Sequence, residues 1–181
     1  MNEIKILFYL LGTFFNGETP PIAASKATVE INPVAQTITI TQEGLYAMIF
    51  DENSGRAVRG KMKDIMENTG WREELADYPV ATCELLEGSD GTLHARIQLT
   101  YRTVSDLEAY GLTDSGEGYF YFFNFPDDQL HTDDGTLDGN YWHFDTDKPF
   151  TFTLDPADKM PERYRPYKTD LLSLWKEMKS P

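Results

Sequence analysis

Cys83, His94 and Arg96 come closest in this sequence to a nucleophile accompanied by its activators. A thiol attacks as the thiolate, and it ionises near neutral pH only where a base or a positive charge stands beside it. Residues 80–87 and 92–101 alternate apolar and polar side chains and flank Gly88-Ser89-Asp90-Gly91, a hairpin turn by composition. Pairing across that hairpin is expected to place Cys83, Leu85, Glu87, His94, Arg96 and Gln98 on one face. Leu86, Leu93, Ala95, Ile97 and Leu99 then form the core face. The position of the cysteine speaks against catalysis. It falls mid-strand, where a thiol acts as a small hydrophobe, whereas nucleophiles sit at the ends of elements.

A second grouping is acidic. Asp127, Asp128, Asp133, Asp134, Asp138, Asp145 and Asp147 crowd the stretch after residue 126. Calcium takes about six to eight oxygen ligands from flexible carboxylates and carbonyls. Asp133, Asp134, Asp138, Asn140 and Asp145 are the candidate set for it here. The Asp-x-Asp-x-Asp-Gly spacing of an EF-hand is absent, and Asp-Asp-Gly and Asp-Gly-Asn are equally the composition of ordinary turns. The turn reading is favoured, and calcium is the one cofactor left open.

Aromatic residues make the third grouping. Tyr119 to Phe125 reads Tyr-Phe-Tyr-Phe-Phe-Asn-Phe, and Tyr141-Trp142-His143-Phe144 follows the acidic stretch. Exposed tyrosine and tryptophan rings can stack on sugars, which makes Tyr119, Tyr121, Tyr141 and Trp142 candidates for a sugar platform, and Tyr141, Trp142 and His143 the expected ligand-binding residues. On a strand, Tyr119, Tyr121, Phe123 and Phe125 face one way and Phe120, Phe122 and Asn124 the other. Apolar residues on both faces predict a central strand covered on both sides, with most of its rings in the core.

The elements that must hold these residues are mostly strands. Residues 28–31 and 37–41 alternate with period two around Asn32-Pro33, and Tyr141–Phe144 and Phe150–Leu154 read as further short strands. Leu45–Phe50 is too short a run for periodicity to decide between strand and helix. Ala57, Val58, Met62, Ile65, Met66 and Thr69 share a helical face, and residues 56–69 are expected to form a helix with Arg56, Arg59, Lys61 and Lys63 on its solvated side. Residues 103–110 suggest a short helix stopped by Gly111. Leu171, Leu174, Trp175 and Met178 predict a C-terminal helix over 168–179 that docks on its own sheet. The expected class is α+β, a largely antiparallel sheet carrying both helices; a β-sandwich or small barrel with peripheral helices is the alternative.

The chain has 181 residues and a formal net charge of −14, from 30 acids and 16 bases. That excess repels nucleic acid and anionic membrane surfaces; it permits a basic protein partner or a cation, with plain solubility the favoured reading, and the expected partner is a protein or small-molecule ligand. Residues 6–15 form an apolar run too short to span a bilayer, which needs about twenty residues. The run has the length of a secretory h-region, and Ala23-Ala24-Ser25 offers a cleavage site. Residues 1–25 are therefore expected to be a signal peptide and linker, and residues 26–181 one domain with no membrane span after processing. The expected location is periplasmic or secreted, with the cytoplasm as the alternative. The sequence shows no Gly-x-Ser-x-Gly elbow, phosphate loop, dinucleotide fingerprint or His-Glu-x-x-His. The expected role is an exported, bacterial-type, non-enzymatic binding domain. An inhibitor or immunity-type protein that caps a basic partner is one alternative, and a calcium-assisted glycan-binding module is another.

Overall fold

Period-two alternation becomes a one-sided sheet. In the computed structural model, which describes residues 22–67, 78–124, 130–155, 160 and 162–180, six strands pair antiparallel in the order β4-β5-β2-β1-β11-β8. These are β1 (Lys26–Asn32), β2 (Thr37–Glu43), β4 (Val80–Glu87), β5 (Leu93–Thr100), β8 (Leu130–His131) and β11 (Phe150–Leu154). Val29, Ile40, Ile97 and Phe152 stand in register across the middle strands, all buried. Their neighbours in sequence, Thr28, Thr39, Thr41, Gln98 and Thr153, point to the other, wetter face. A sheet packed on one side only is what alternating Ile/Val and Thr produce. With β4 and β8 at its edges the sheet is open, and the class is α+β.

Three pieces cover the apolar face. The first is α1 (Glu52–Met66), which buries Val58, Met62 and Ile65. It starts earlier than the residue pattern suggested, because the Asp51 side chain accepts from the Ser54 N–H at 2.8 Å while Ser54 Oγ accepts from the Asp51 N–H at 2.9 Å. This reciprocal cap satisfies donors that a helix start leaves open. The second is α2 (Leu172–Lys179), with Leu171 and Trp175 buried and Leu174 and Met178 packed beside them. Lys168–Asp170, expected as the start of that helix, instead forms β12 and pairs with β3 (Tyr46–Met48). Arg59 meets Glu177 at 3.2 Å and ties α1 to α2, while Lys63 faces Glu67 and Arg56 bonds Asn53. The basic side of α1 is thus balanced by nearby groups.

The third cover is a second antiparallel sheet of four strands, β6-β7-β10-β9: β6 (Leu112–Asp114), β7 (Tyr119–Phe123), β9 (Thr136–Asp138) and β10 (Tyr141–Asp145). A 3₁₀ helix over Val104–Tyr110 leads into it, and Gly111 ends that helix in the left-handed conformation at φ 77°. Phe120, Phe122 and Phe144 of this sheet interleave with Phe150 and Phe152 of β11. Ring centroids lie 4.5 to 6.0 Å apart, the range in which aromatic pairs attract.

Residues 1–21 of the expected signal segment lie outside the described residues. Ile22, Ala23 and Ala24 are buried, and Ala23 exchanges backbone hydrogen bonds of 2.8 and 2.9 Å with Tyr46. The residues just before β1 therefore pack in the same body as the strand. Among the described residues no helix is long and apolar enough to cross a membrane.

Candidate functional site

The hairpin that was to gather Cys83, His94 and Arg96 forms, but its parity is the reverse of the expected one. Cys83 stands opposite Ile97, and Leu85 opposite Ala95, so the thiol belongs with the core residues. His94 pairs with Leu86 and Arg96 with Glu84 on the wet face. The loop from Gly88 to Thr92 has five residues rather than four, and each added residue shifts the partner strand by one position and so to the other face. Burial pushes the Cys83 thiol up to about 12, the opposite of what a nucleophile needs. His94 instead closes the turn, its Nε2 lying 3.1 Å from both Asp90 Oδ1 and Thr92 Oγ1.

The acidic residues disperse. Among the described residues no three of His, Cys, Asp or Glu gather to hold one metal ion. Asp134 accepts the Thr151 N–H at 2.8 Å, which pins the loop to β11. Asp145 pairs with Lys148 at 2.6 Å. Asp133, Asp138 and Asn140 are exposed, Asp138 on edge strand β9 and Asn140 in the turn that follows it.

The candidate ligand-binding residues divide between the two faces of the small sheet. Trp142 pairs with Phe122 on the inner face, packs against the core, and donates its Nε1–H to Asn124 Oδ1 at 3.2 Å. Tyr141 and His143 stand on the outer face, opposite Phe123 and Tyr121. There they meet residues expected to be buried. Tyr119 stacks on His143 with centroids 4.5 Å apart and planes 17° apart. Tyr141 takes Tyr121 and Phe123 edge-on at 5.6 and 5.4 Å. Tyr141 is 42% exposed and Phe123 36%, and Tyr119, Tyr121 and His143 are half-buried.

The expectation that β7 is covered on both sides is thereby corrected. Its Phe120 and Phe122 side is closed and its Tyr119, Tyr121 and Phe123 side is open to water. The strand itself carried the signal. Tyrosine alternates with phenylalanine over residues 119–122, and tyrosine tolerates a wet face because its hydroxyl stays solvated.

The structure also has a cleft of about 230 Å³ at one end of the two sheets, lined by Pro33, Gln36, Tyr101, Val104, Asp114 and Phe120. It is smaller than the roughly 300–1,000 Å³ of sites that enclose a drug-sized ligand. Gln36 holds a left-handed backbone there (φ 54°), with its carbonyl accepting the Tyr101 N–H at 3.0 Å and its side chain donating to the Arg102 carbonyl. Those bonds account for the strained turn without a ligand.

No family model matches the chain, and no curated protein or solved structure matches it.

Proposed function

We propose that the chain is an exported, non-enzymatic binding domain that takes its ligand on the outer face of the small sheet. The observation that carries this reading is the row of Tyr119, Tyr121, Phe123, Tyr141 and His143 on one face of the sheet, where Tyr119 stacks on His143, Tyr141 meets Tyr121 and Phe123, and His143 stands opposite Tyr121 in register, all reached by water. Contiguous exposed apolar surface marks interaction sites, whereas single exposed rings do not. The fold's own demand for aromatic packing is met on the opposite side of the same strands. Support for a non-catalytic role comes from the hairpin, where the only cysteine is turned away from His94 and Arg96. Support for export comes from the apolar run at residues 6–15. A cut that keeps Ile22, Ala23 and Ala24 in the fold falls before residue 22.

Fluorescently labelled protein tested against an array of neutral oligosaccharides and a random dodecapeptide library checks the binding face. Binding should disappear in Tyr121→Ala/Tyr141→Ala while the circular dichroism spectrum and melting curve stay those of the parent. Binding that survives the double exchange, or no binding in either format, refutes the reading. For the location, N-terminal sequencing of protein from a secreting host should give a shortened chain, and retained Met1 counts against export.

A further inference from the structure

The charge around the aromatic face says what should lie on it. Every one of the 16 lysines and arginines falls outside residues 103–147, the stretch that builds the small sheet and its approach, while 11 of the 30 acids fall inside it. The net charge of −14 is thus not spread evenly along the chain. On the outer face, Asp138 stands opposite Tyr141, and Asp145 opposite Tyr119. Glu117 lies beside Tyr119, whose hydroxyl reaches its Oε2 at 3.5 Å. Asp145 already has a cation in Lys148, but among the described residues Asp138 and Glu117 have none.

We infer that the occupant is an extended, lysine- or arginine-bearing segment of a basic protein partner. This rests on the binding face proposed above and names what binds there. Aromatic faces attract cations through the ring quadrupole, and arginine also stacks flat on a ring. A rim of carboxylates without cations of their own adds long-range attraction and repels anionic ligands. Spacing fits as well. Tyr119, Tyr121 and Phe123 recur at every second residue of β7, about 6.8 Å apart. An extended peptide presents its own alternate side chains at the same interval, so successive cationic side chains can each meet a ring. A neutral sugar could use the rings and donate hydroxyls to the carboxylates at short range, but it would gain none of their long-range attraction.

The test is selection of a random dodecapeptide phage library on the intact chain, followed by titration of the selected peptides as synthetic probes. The inference expects peptides of net positive charge with lysine or arginine at alternate positions. Their affinity should fall by about fivefold in Tyr141→Ala, the loss of one exposed cation–π contact. It should fall further in Asp138→Asn/Glu117→Gln, and steeply as salt rises from about 0.05 to about 0.5 M. Glu84→Gln, a change on the exposed outer side of β4, should leave it unchanged. Any of the following outcomes overturns the inference. Selected peptides that are neutral or acidic, or none selected at all, overturn it. Equal weakening by Glu84→Gln would reduce the effect to overall charge. Neutral oligosaccharides that bind through Tyr121 and Tyr141 while basic peptides do not would also overturn it, yet would leave the binding face standing; ligands indifferent to both tyrosines remove the face as well.

Discussion

Gly135 lies where the acidic loop passes over the aromatic core, and a methyl group there has nowhere to go. A Cβ built on it would stand 2.7 Å from Phe144 Cε1, 3.1 Å from Phe144 Cδ1 and 3.1 Å from Thr132 Cγ2. Phe144 cannot step aside: it is buried and stacked on Phe150, with centroids 4.5 Å and planes 18° apart. Gly135→Ala therefore sets two effects against each other. A less flexible unfolded chain stabilises by about 0.4–1 kcal/mol. Overpacking a closed core costs about 1–3 kcal/mol. The clash is the larger, so a net loss of about 1–2 kcal/mol is expected, and a melting temperature lower by roughly 2–8 °C at this chain length. Urea denaturation should show a lower midpoint at unchanged slope. The cause can be isolated by shrinking the obstacle. Phe144→Leu removes the ring edge, and the cycle of single and double variants should give a favourable coupling of about 1 kcal/mol or more. Gly139→Ala serves as the control, since its Cβ meets nothing within 4 Å and its cost comes only from φ 57°. Phe144→Leu should not rescue it. A Gly135→Ala protein as stable as the parent, or a coupling of zero, would refute the argument.

Three further outcomes follow from separate parts of the molecule. A chain beginning at Lys26 loses Ile22 and the two hydrogen bonds between Ala23 and Tyr46; burial of one isoleucine at about 2 kcal/mol and hydrogen bonds at about 1 kcal/mol each predict a loss of about 3–4 kcal/mol, and an unchanged melting curve contradicts it. The Asp106 carboxyl is held below the usual carboxylate range, first by the Arg102 N–H at 2.8 Å and then by the Thr103 N–H at 3.1 Å. A lowered folded pKa gives stability that is present above the unfolded value of about 3.9 and lost as pH falls through the folded one. Asp106→Asn should thus be less stable than the parent at neutral pH and converge with it in acid, whereas parallel curves count against the cap. Cys83, with its thiol pushed up to about 12, should react with iodoacetamide at pH 8 far more slowly in the folded protein than in urea, and equal rates would put the thiol outside the core.

Several elements were legible because their pattern had one physical solution. The strands around Thr28–Ile31 and Thr37–Thr41 need one dry face, and the stripe of Leu171, Leu174, Trp175 and Met178 needs a core to dock on. The hairpin's extent was readable for the same reason, but its facing was not. Gly88–Thr92 closes as five residues through the backbone bond between Gly88 and Thr92, a left-handed Gly91 and the Asp90, Thr92 and His94 contacts, none of which composition reveals. Lys168–Asp170 looked helical because local pattern says nothing of a partner strand some 120 residues earlier in the chain. The candidate site was half legible. Tyr141 and His143 stand on the open face, but Trp142 turns inward, and Tyr119, Tyr121 and Phe123 were assigned to the core because rings on both sides of a strand look the same whether or not a second layer covers them.

The place of β1 between β2 and β11 bears on how the protein is made. One side of that strand can pair as soon as residue 43 is synthesised, but its other side waits for residues 150–154. At about 5–20 residues per second, a nascent chain holds that edge open for roughly 5–20 seconds. The edge of β3 that pairs with β12 waits still longer, although Tyr46 can already bond Ala23. A fold that cannot finish until nearly all of its length is available leaves an unpaired strand edge exposed to other chains throughout that interval.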